Sequence, residues 1–242
     1  ELEIEKFVSE PYWEIEIILD KNKNKILATY KKGRITDKKL AEKIFENIGN
    51  NAKVVRIDKK ENVIAKPVPF NTTDFLRAAT NINLDAMRAM AIAEQLYMKG
   101  YVSYPRTDNQ TYIGISFKEI LTNLKCPDFD FAINKILAQD KIVASKGIST
   151  KDHPPIHPVS LAPKDKLSKD EWKVFKLIVD HFFATLYKDA KTLVMDVDFD
   201  TNSELFTSKG ITFIDKGWIE LYPYANQKEN VFEKGSLFEA IR

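Results

Sequence analysis

Pro67-Val68-Pro69-Phe70-Asn71-Thr72-Thr73 is where the sequence changes character. Upstream of it the chain reads as strands. Tyr12 to Leu19 is aromatic and β-branched with partial alternation, Lys21-Asn22-Lys23-Asn24 is a polar turn, Ile26 to Tyr30 is the returning strand, and Ala52 to Asn62 is another. One helix interrupts them, capped by Thr36 or Asp37 and carrying Leu40, Ile44 and Ile48 on one stripe. Downstream the pattern is helical. Thr72 or Thr73 caps a short helix through Ala79, and a longer one follows Asn81 and runs to Lys99. That helix puts Ala89, Ile92, Ala93, Leu96 and Tyr97 on one face, with Gly100 as its stop. Ile115 to Leu124 and Phe129 to Leu137 predict further helices, and a second proline-rich stretch runs from His153 to Pro158. Ser168 caps a helix from Lys169 to Tyr187 that is apolar on most sides. Strands then return over Thr192–Phe199, Leu205–Phe206 and Ile211–Phe213.

Strands, helices, then strands predict an α+β fold in which one domain is split in sequence. Residues 1–66 and 164–242 are expected to form a strand-rich arch, and 67–163 an inserted, mainly helical domain. The two crossings, near Pro67–Pro69 and Pro154–Pro163, would lie side by side as a hinge.

Composition narrows the function classes. Hydrophobic residues make up 44% of the 242, enough for one large or two medium cores. Thirty-seven basic residues against 35 acidic give a net charge of +2, so contact with a polyanion must come from a local patch. The single cysteine, Cys126, excludes an internal disulfide and a Cys-rich zinc site. No apolar run approaches the roughly 20 residues that span a bilayer, and no signal peptide is visible. The start at Glu1 and the stop at Arg242 suggest a piece of a longer protein.

The stretch Gly100-Tyr101-Val102-Ser103-Tyr104-Pro105-Arg106-Thr107-Asp108-Asn109 carries the chemistry. Pro105 keeps Tyr104 extended, and in an extended chain residues i and i+2 share a face. Tyr104 and Arg106 therefore stand side by side. A phenol of ordinary pKa, about 10, is a poor nucleophile, and an adjacent fixed cation favours the phenolate. A guanidinium also offers a donor fork matched to a phosphodiester. Asp108 is placed either to orient Arg106 through a salt bridge or to cap a turn. His153 and His157 have the spacing of a helical zinc pair, but Pro154-Pro155 forbids the helix. The alternating Asp196, Asp198 and Asp200 fit a strand with one wet face better than a metal cluster.

Four separated motifs resemble the active-site region of type IA DNA topoisomerases. They are Pro69 to Ala79, Arg88 to Tyr97, Gly100 to Asp108, and Asp152-His153-Pro154-Pro155-Ile156-His157-Pro158. The last is similar to the signature of the topoisomerase III and archaeal branch. Phe175 to Ala184 and Trp218 to Tyr224 resemble that branch too. The resemblance implies that Tyr104 is the nucleophile, linking covalently to the 5′-phosphate of a broken strand. Arg106 would bind the scissile phosphate, and His153 would contact the same region. It makes His157, where the other branch has arginine, a further candidate. Arg77 and Arg88, on the helical segment, are candidates to track the DNA backbone. Solvated helix faces account for those two arginines equally well.

The implied enzyme isomerises DNA without ATP, on single-stranded or locally unwound DNA. Its Mg²⁺ would come through a metal-binding domain absent from this sequence, with none held here and the remaining domains as partners. It would be cytoplasmic in an archaeon or bacterium and nuclear in a eukaryote. This chain alone is expected not to cut or relax DNA. The alternative is a non-catalytic module in which residues 72–100 form a helix-turn-helix unit reading duplex DNA.

Overall fold

The computed structural model describes residues 10–21, 24–150 and 152–228. The expected turn at Asn22 and Lys23 and the stretch 229–242 lie outside them. Strands β1 (Glu16–Lys21), β2 (Asn24–Tyr30), β3 (Lys53–Ile64), β4 (Ala190–Thr201) and β5 (Glu204–Asp215) form a five-stranded sheet in the order β1-β2-β5-β4-β3. β1 and β2 pair antiparallel from Glu16↔Thr29 onward, and β2 pairs β5 through Thr29↔Thr207 and Tyr30↔Phe206. Asn202 and Ser203 both take positive φ, which is what a two-residue type I′ turn between β4 and β5 requires. The two short strands expected at 205–206 and 211–213 are one continuous β5.

The chain divides into two compact units. Among the described residues, one comprises those up to 62 together with 192–214, and the other those from 63 to 191 and from 215 to 228. In the strand-rich unit, α1 (Lys38–Asn47) is capped by Asp37, whose carboxylate accepts the Lys39 and Leu40 N–H groups. It buries Ala41 and Ile44 in a core with Ile26, Ala28, Tyr30, Val197, Phe199 and Phe206. Asp198, expected on a wet face, is instead buried. Lys31 lies 2.6 Å from it and Arg56 3.5 Å, which offsets the cost of burying its charge.

The helical unit holds α2 (Thr72–Ala79), α3 (Ala86–Met98), α4 (Phe117–Asn123), α5 (Asp130–Leu137) and α6 (Lys169–Leu186). Asn71 rather than Thr72 caps α2, and Asp85 caps α3. α6 starts in a full capping box of Ser168 and Glu171, and it buries every residue from Leu177 to Leu186. This corrects the expected boundary at residue 164. The apolar surround of α6 needs cover on all sides, and Phe75, Leu96, Phe129, Ile133 and Ile156 of the helical unit provide it.

The chain passes between units at 62/63, 191/192 and 214/215, and not at the prolines where a hinge is expected. The proline stretches lie inside the helical unit and are tied to it. Phe70 bridges Ile156, and Val102 bridges Pro158.

Gly217 turns the chain back into this unit with φ +48, and an added Cβ would sit 2.4 Å from the Asp189 carbonyl oxygen. Both the left-handed backbone and the clash oppose a side chain. Gly217→Ala is expected to destabilise the chain by about 2–4 kcal/mol, read as a lower urea midpoint with an unchanged slope.

Two adjacent buried groups on α6 have opposed titrations. Burial pushes the His181 imidazole down to about 4, while its Nε2 donates to the Val68 carbonyl at 2.8 Å. Burial pushes Asp180 up to about 6, against the pull of Lys176 at 2.5 Å and of Tyr224. The stability that depends on neutral His181 is present above pH 6.5, its ordinary value, and is lost as pH falls toward about 4. Asp180 runs the other way, favouring the fold as pH falls from about 6 toward 3.8. Asp180→Asn should unmask the histidine. Between about pH 7.5 and about pH 5 the variant is expected to lose about 2 kcal/mol, and the parent less than half of that. Chemical denaturation at the two pH values measures both, and equal losses would contradict the assignment.

Candidate active site

α3 ends in a Schellman motif. Gly100 takes φ +76, its N–H reaches the Tyr97 carbonyl at 2.8 Å, and the Tyr101 N–H reaches the Leu96 carbonyl at 3.0 Å. The turn sends residues 101–109 off the helix as an extended stretch. Ser103, Pro105, Thr107 and Asn109 face inward and are buried. Tyr104 is half-buried on the other side, and Arg106 and Asp108 are exposed there. This is the alternation expected of an extended chain.

The second proline stretch runs beside the first and locks it. The Ser103 N–H donates to the His157 carbonyl at 2.9 Å, and the Ser103 hydroxyl donates to the Pro155 carbonyl at 3.0 Å. The Thr107 hydroxyl donates to the His153 carbonyl at 2.8 Å, and the Asp108 N–H to the Asp152 carboxylate at 3.2 Å. From the other flank Thr72, at the start of α2, accepts the Thr107 N–H at 2.9 Å and donates its own N–H to the Thr107 carbonyl at 2.9 Å. The inward Ser103 and Thr107 thus spend their polar groups on scaffold, while Tyr104, Arg106 and Asp108 lie on the outward side.

On the outward side the rings of Tyr104 and His153 meet edge to face, centroids 4.7 Å apart. Tyr97, on the last turn of α3, packs edge-on against Tyr104 at 5.2 Å. Arg106 does not pair with Asp108, as expected of a salt bridge along the stretch. Its Nε and Nη2 donate to one carboxylate oxygen of Glu94 at 2.9 and 2.7 Å. The Asp108 carboxylate makes no ion pair among the described residues. Glu94 holds Arg106 protonated first by that hydrogen bond and then by its charge, and the Tyr104 phenol adds to the same effect. Glu94 and Tyr97 are three apart and share a helical face. Sequence reasoning missed both as site residues. The signal available was a helix ending at Gly100, which must lay its last turn beside whatever leaves it.

The other candidates are dispersed. His157 is buried, with its Nδ1 2.7 Å from the Pro155 carbonyl and its ring among Tyr112 and Phe182; burial pushes its pKa down. It stands under the site and not beside Tyr104. Arg77 is exposed and lies 3.3 Å from Asp74. Arg88 is committed to Asp170 at 2.5 Å, tying α3 to α6. Neither lies in the Tyr104–His153 group. The helix-turn-helix alternative finds no support, because α2 and α3 bury Phe75, Ala79, Ile92 and Leu96 in the common core. Among the described residues no helix is long and apolar enough to cross a membrane.

The solved structure of full-length topoisomerase I from Thermotoga maritima shares this fold with a TM-score of 0.64 at 19% identity, over 96% of this chain and 39% of that one. DNA topoisomerase 1 of Thermoplasma acidophilum is 42% identical over 93% of this chain. DNA topoisomerase 1 of Archaeoglobus fulgidus is 39% identical over all of it. The chain spans 29% and 36% of the length of those two relatives. A family model described as DNA topoisomerase matches residues 1–240, and with these relatives it makes this chain a member of the type IA DNA topoisomerase family.

Proposed function

We propose that this chain is the nucleophile-bearing part of a longer enzyme that cuts one DNA strand, passes another through the break and reseals it without ATP. The observation that carries this reading is the outward cluster of Tyr104, His153 and Arg106 on one rigid extended stretch. The Tyr104 oxygen attacks the scissile phosphorus. The new bond is Oη–P, the bond that breaks is P–O3′, and the leaving 3′-oxygen takes up a proton as the phenol gives one up. The product is a 5′-phosphotyrosine. One phosphate ester replaces another, so the energy of the backbone link is kept and resealing is the same displacement reversed.

Arg106 supplies a cation and a donor fork to the charge that grows on the phosphoryl oxygens. His153 is the second polar group within reach of that phosphate, its ring held against Tyr104 by the Thr107–His153 backbone link. The substrate is a single strand or a locally opened duplex, as the resemblance implies. The helical unit carries the captured end while the split strand-rich unit supports its movement.

The resemblance implies Mg²⁺ for the intact enzyme. Among the described residues no group of three His, Cys, Asp or Glu is placed to hold a cation, and Asp198 is already bound to Lys31.

The test is denaturant trapping. The longer enzyme is mixed with a single strand labelled at one end and quenched with detergent. Peptide mapping is expected to find the label on Tyr104 only when it marks the fragment on the 3′ side of the break. An adduct elsewhere, or one of opposite polarity, would refute the reading.

A further inference from the structure

The backbone around Tyr104 is held by hydrogen bonds, but no polar contact holds its side chain. The phenol oxygen has no hydrogen-bond partner among the described residues, and a tyrosine side chain turns about χ1 and χ2. Packing is left to set where that oxygen lies. Among the described residues two aromatic rings meet the Tyr104 ring. His153 does so with centroids 4.7 Å apart and planes at 66°, and Tyr97 with centroids 5.2 Å apart and planes at 65°. Both are the T-shaped arrangement that aromatic pairs favour. His153 has a second task at the phosphate in the reaction proposed above. Tyr97 has none.

Tyr97 stands on a rigid support. It follows Leu96, which is fully buried, and the stripe of Ala89, Ile92, Ala93 and Leu96 fastens α3 to the core. Just past the helix end the Lys99 ammonium lies 2.5 Å from Glu171, the capping-box residue of α6. Tyr97 itself is 41% exposed, and its hydroxyl has no hydrogen-bond partner among the described residues. Glu94, three residues earlier on the same face, holds Arg106. One turn of helix thus addresses both reactive groups, the guanidinium through a carboxylate and the phenol through a ring.

We propose that Tyr97 is a positioning residue for the nucleophile. Its ring narrows the directions open to the Tyr104 side chain and so keeps the phenol oxygen aimed at the scissile phosphorus. The proposal rests on the reading of Tyr104 as the nucleophile, and Tyr97 touches no reacting atom. Attack needs the oxygen within reach and in line, so a loose nucleophile loses rate. Resealing makes no such demand. There the 3′-hydroxyl oxygen attacks phosphorus, the Oη–P bond breaks and the phenol regains a proton. Until that moment the ester bond itself keeps the Tyr104 oxygen in place. Loss of the Tyr97 ring therefore slows cutting and spares resealing.

The experiment places Tyr97→Leu and Tyr97→Phe in the longer enzyme, with an end-labelled single strand as substrate. Leucine is a good helix former, and the Gly100 turn uses only the Tyr97 backbone carbonyl, so both variants should keep the parent's melting temperature. Resealing is read by chasing preformed adduct with a strand that ends in a 3′-hydroxyl. Tyr97→Leu is expected to cut about 10-fold more slowly in a single turnover, with resealing and DNA affinity within about twofold of the parent. Adduct at equilibrium, the ratio of the two rates, should fall by the same factor. Tyr97→Phe keeps the ring and should restore cutting to within about twofold of the parent.

Cutting by Tyr97→Leu at the parent's rate overturns the proposal. Equal losses in cutting and resealing overturn it too, because they make Tyr97 a contact to the transition state itself. A Tyr97→Phe variant as slow as Tyr97→Leu puts the role in the hydroxyl, and a fall in DNA affinity that accounts for the whole loss makes Tyr97 a strand-binding residue; either result sinks the idea. If Tyr104→Phe still traps DNA, the cleavage reading falls and takes the proposal with it. If Tyr104→Phe is inert while Tyr97→Leu behaves like the parent, the proposal alone falls.

Discussion

Tyr104→Phe abolishes covalent capture of DNA in the longer enzyme while leaving noncovalent binding within about twofold of the parent. The expected fall in trapped adduct is at least about 10⁴-fold, the scale seen when a nucleophile is removed from an otherwise intact site. The structure makes this a clean test. The phenol oxygen has no hydrogen-bond partner among the described residues, so its removal strands no buried group. The ring keeps its edge contacts with His153 at 4.7 Å and Tyr97 at 5.2 Å, and the backbone stays held by Ser103 and Thr107. Gel retardation measures binding and detergent trapping measures capture on the same preparation. Persisting adduct would mean that another residue is the nucleophile.

Arg106→Ala comes second. Loss of a donor aimed at transition-state charge typically costs about 10²–10³ in rate, and that is the expected drop in single-turnover cleavage. Arg106→Lys keeps the charge without the planar fork and should recover only part of it, because a point cation does not bind a phosphodiester through two parallel bonds. Glu94 gives this prediction a second arm. It holds Nε and Nη2 through one oxygen and so leaves the other guanidinium edge, with Nη1, open. Glu94→Ala is expected to lower cleavage about 10-fold through misplacement of Arg106, with Glu94→Gln recovering most of it. In an Arg106→Ala background the same change should add nothing, since a group that acts through another has no effect once that other is gone. Additive losses would give Glu94 a role of its own. Both arginine variants should keep the parent's urea midpoint, because the pair is exposed on both sides.

The outward face of the site was legible from local chemistry alone. Pro105 fixes an extended Tyr104, and period-two geometry then puts Tyr104, Arg106 and Asp108 on one side. The exposure pattern follows that alternation residue by residue. The start of α6 was legible in the same way, because Ser168 and Glu171 satisfy its first turn without help from elsewhere. The partner of Arg106 was not. Asp108 is nearer in sequence, but its backbone is turned toward Asp152, and Glu94 comes within reach only because Gly100 folds the chain back along the last turn of α3.

The sequence by itself determined most of the helices, the capping box at the start of α6 and the extended presentation of Tyr104, since each depends on contacts a few residues long. Only the tertiary structure decided which unit owns α6, where the chain crosses between units, and what His157 does. Those depend on which apolar surfaces find cover, and that is set by residues far apart in sequence.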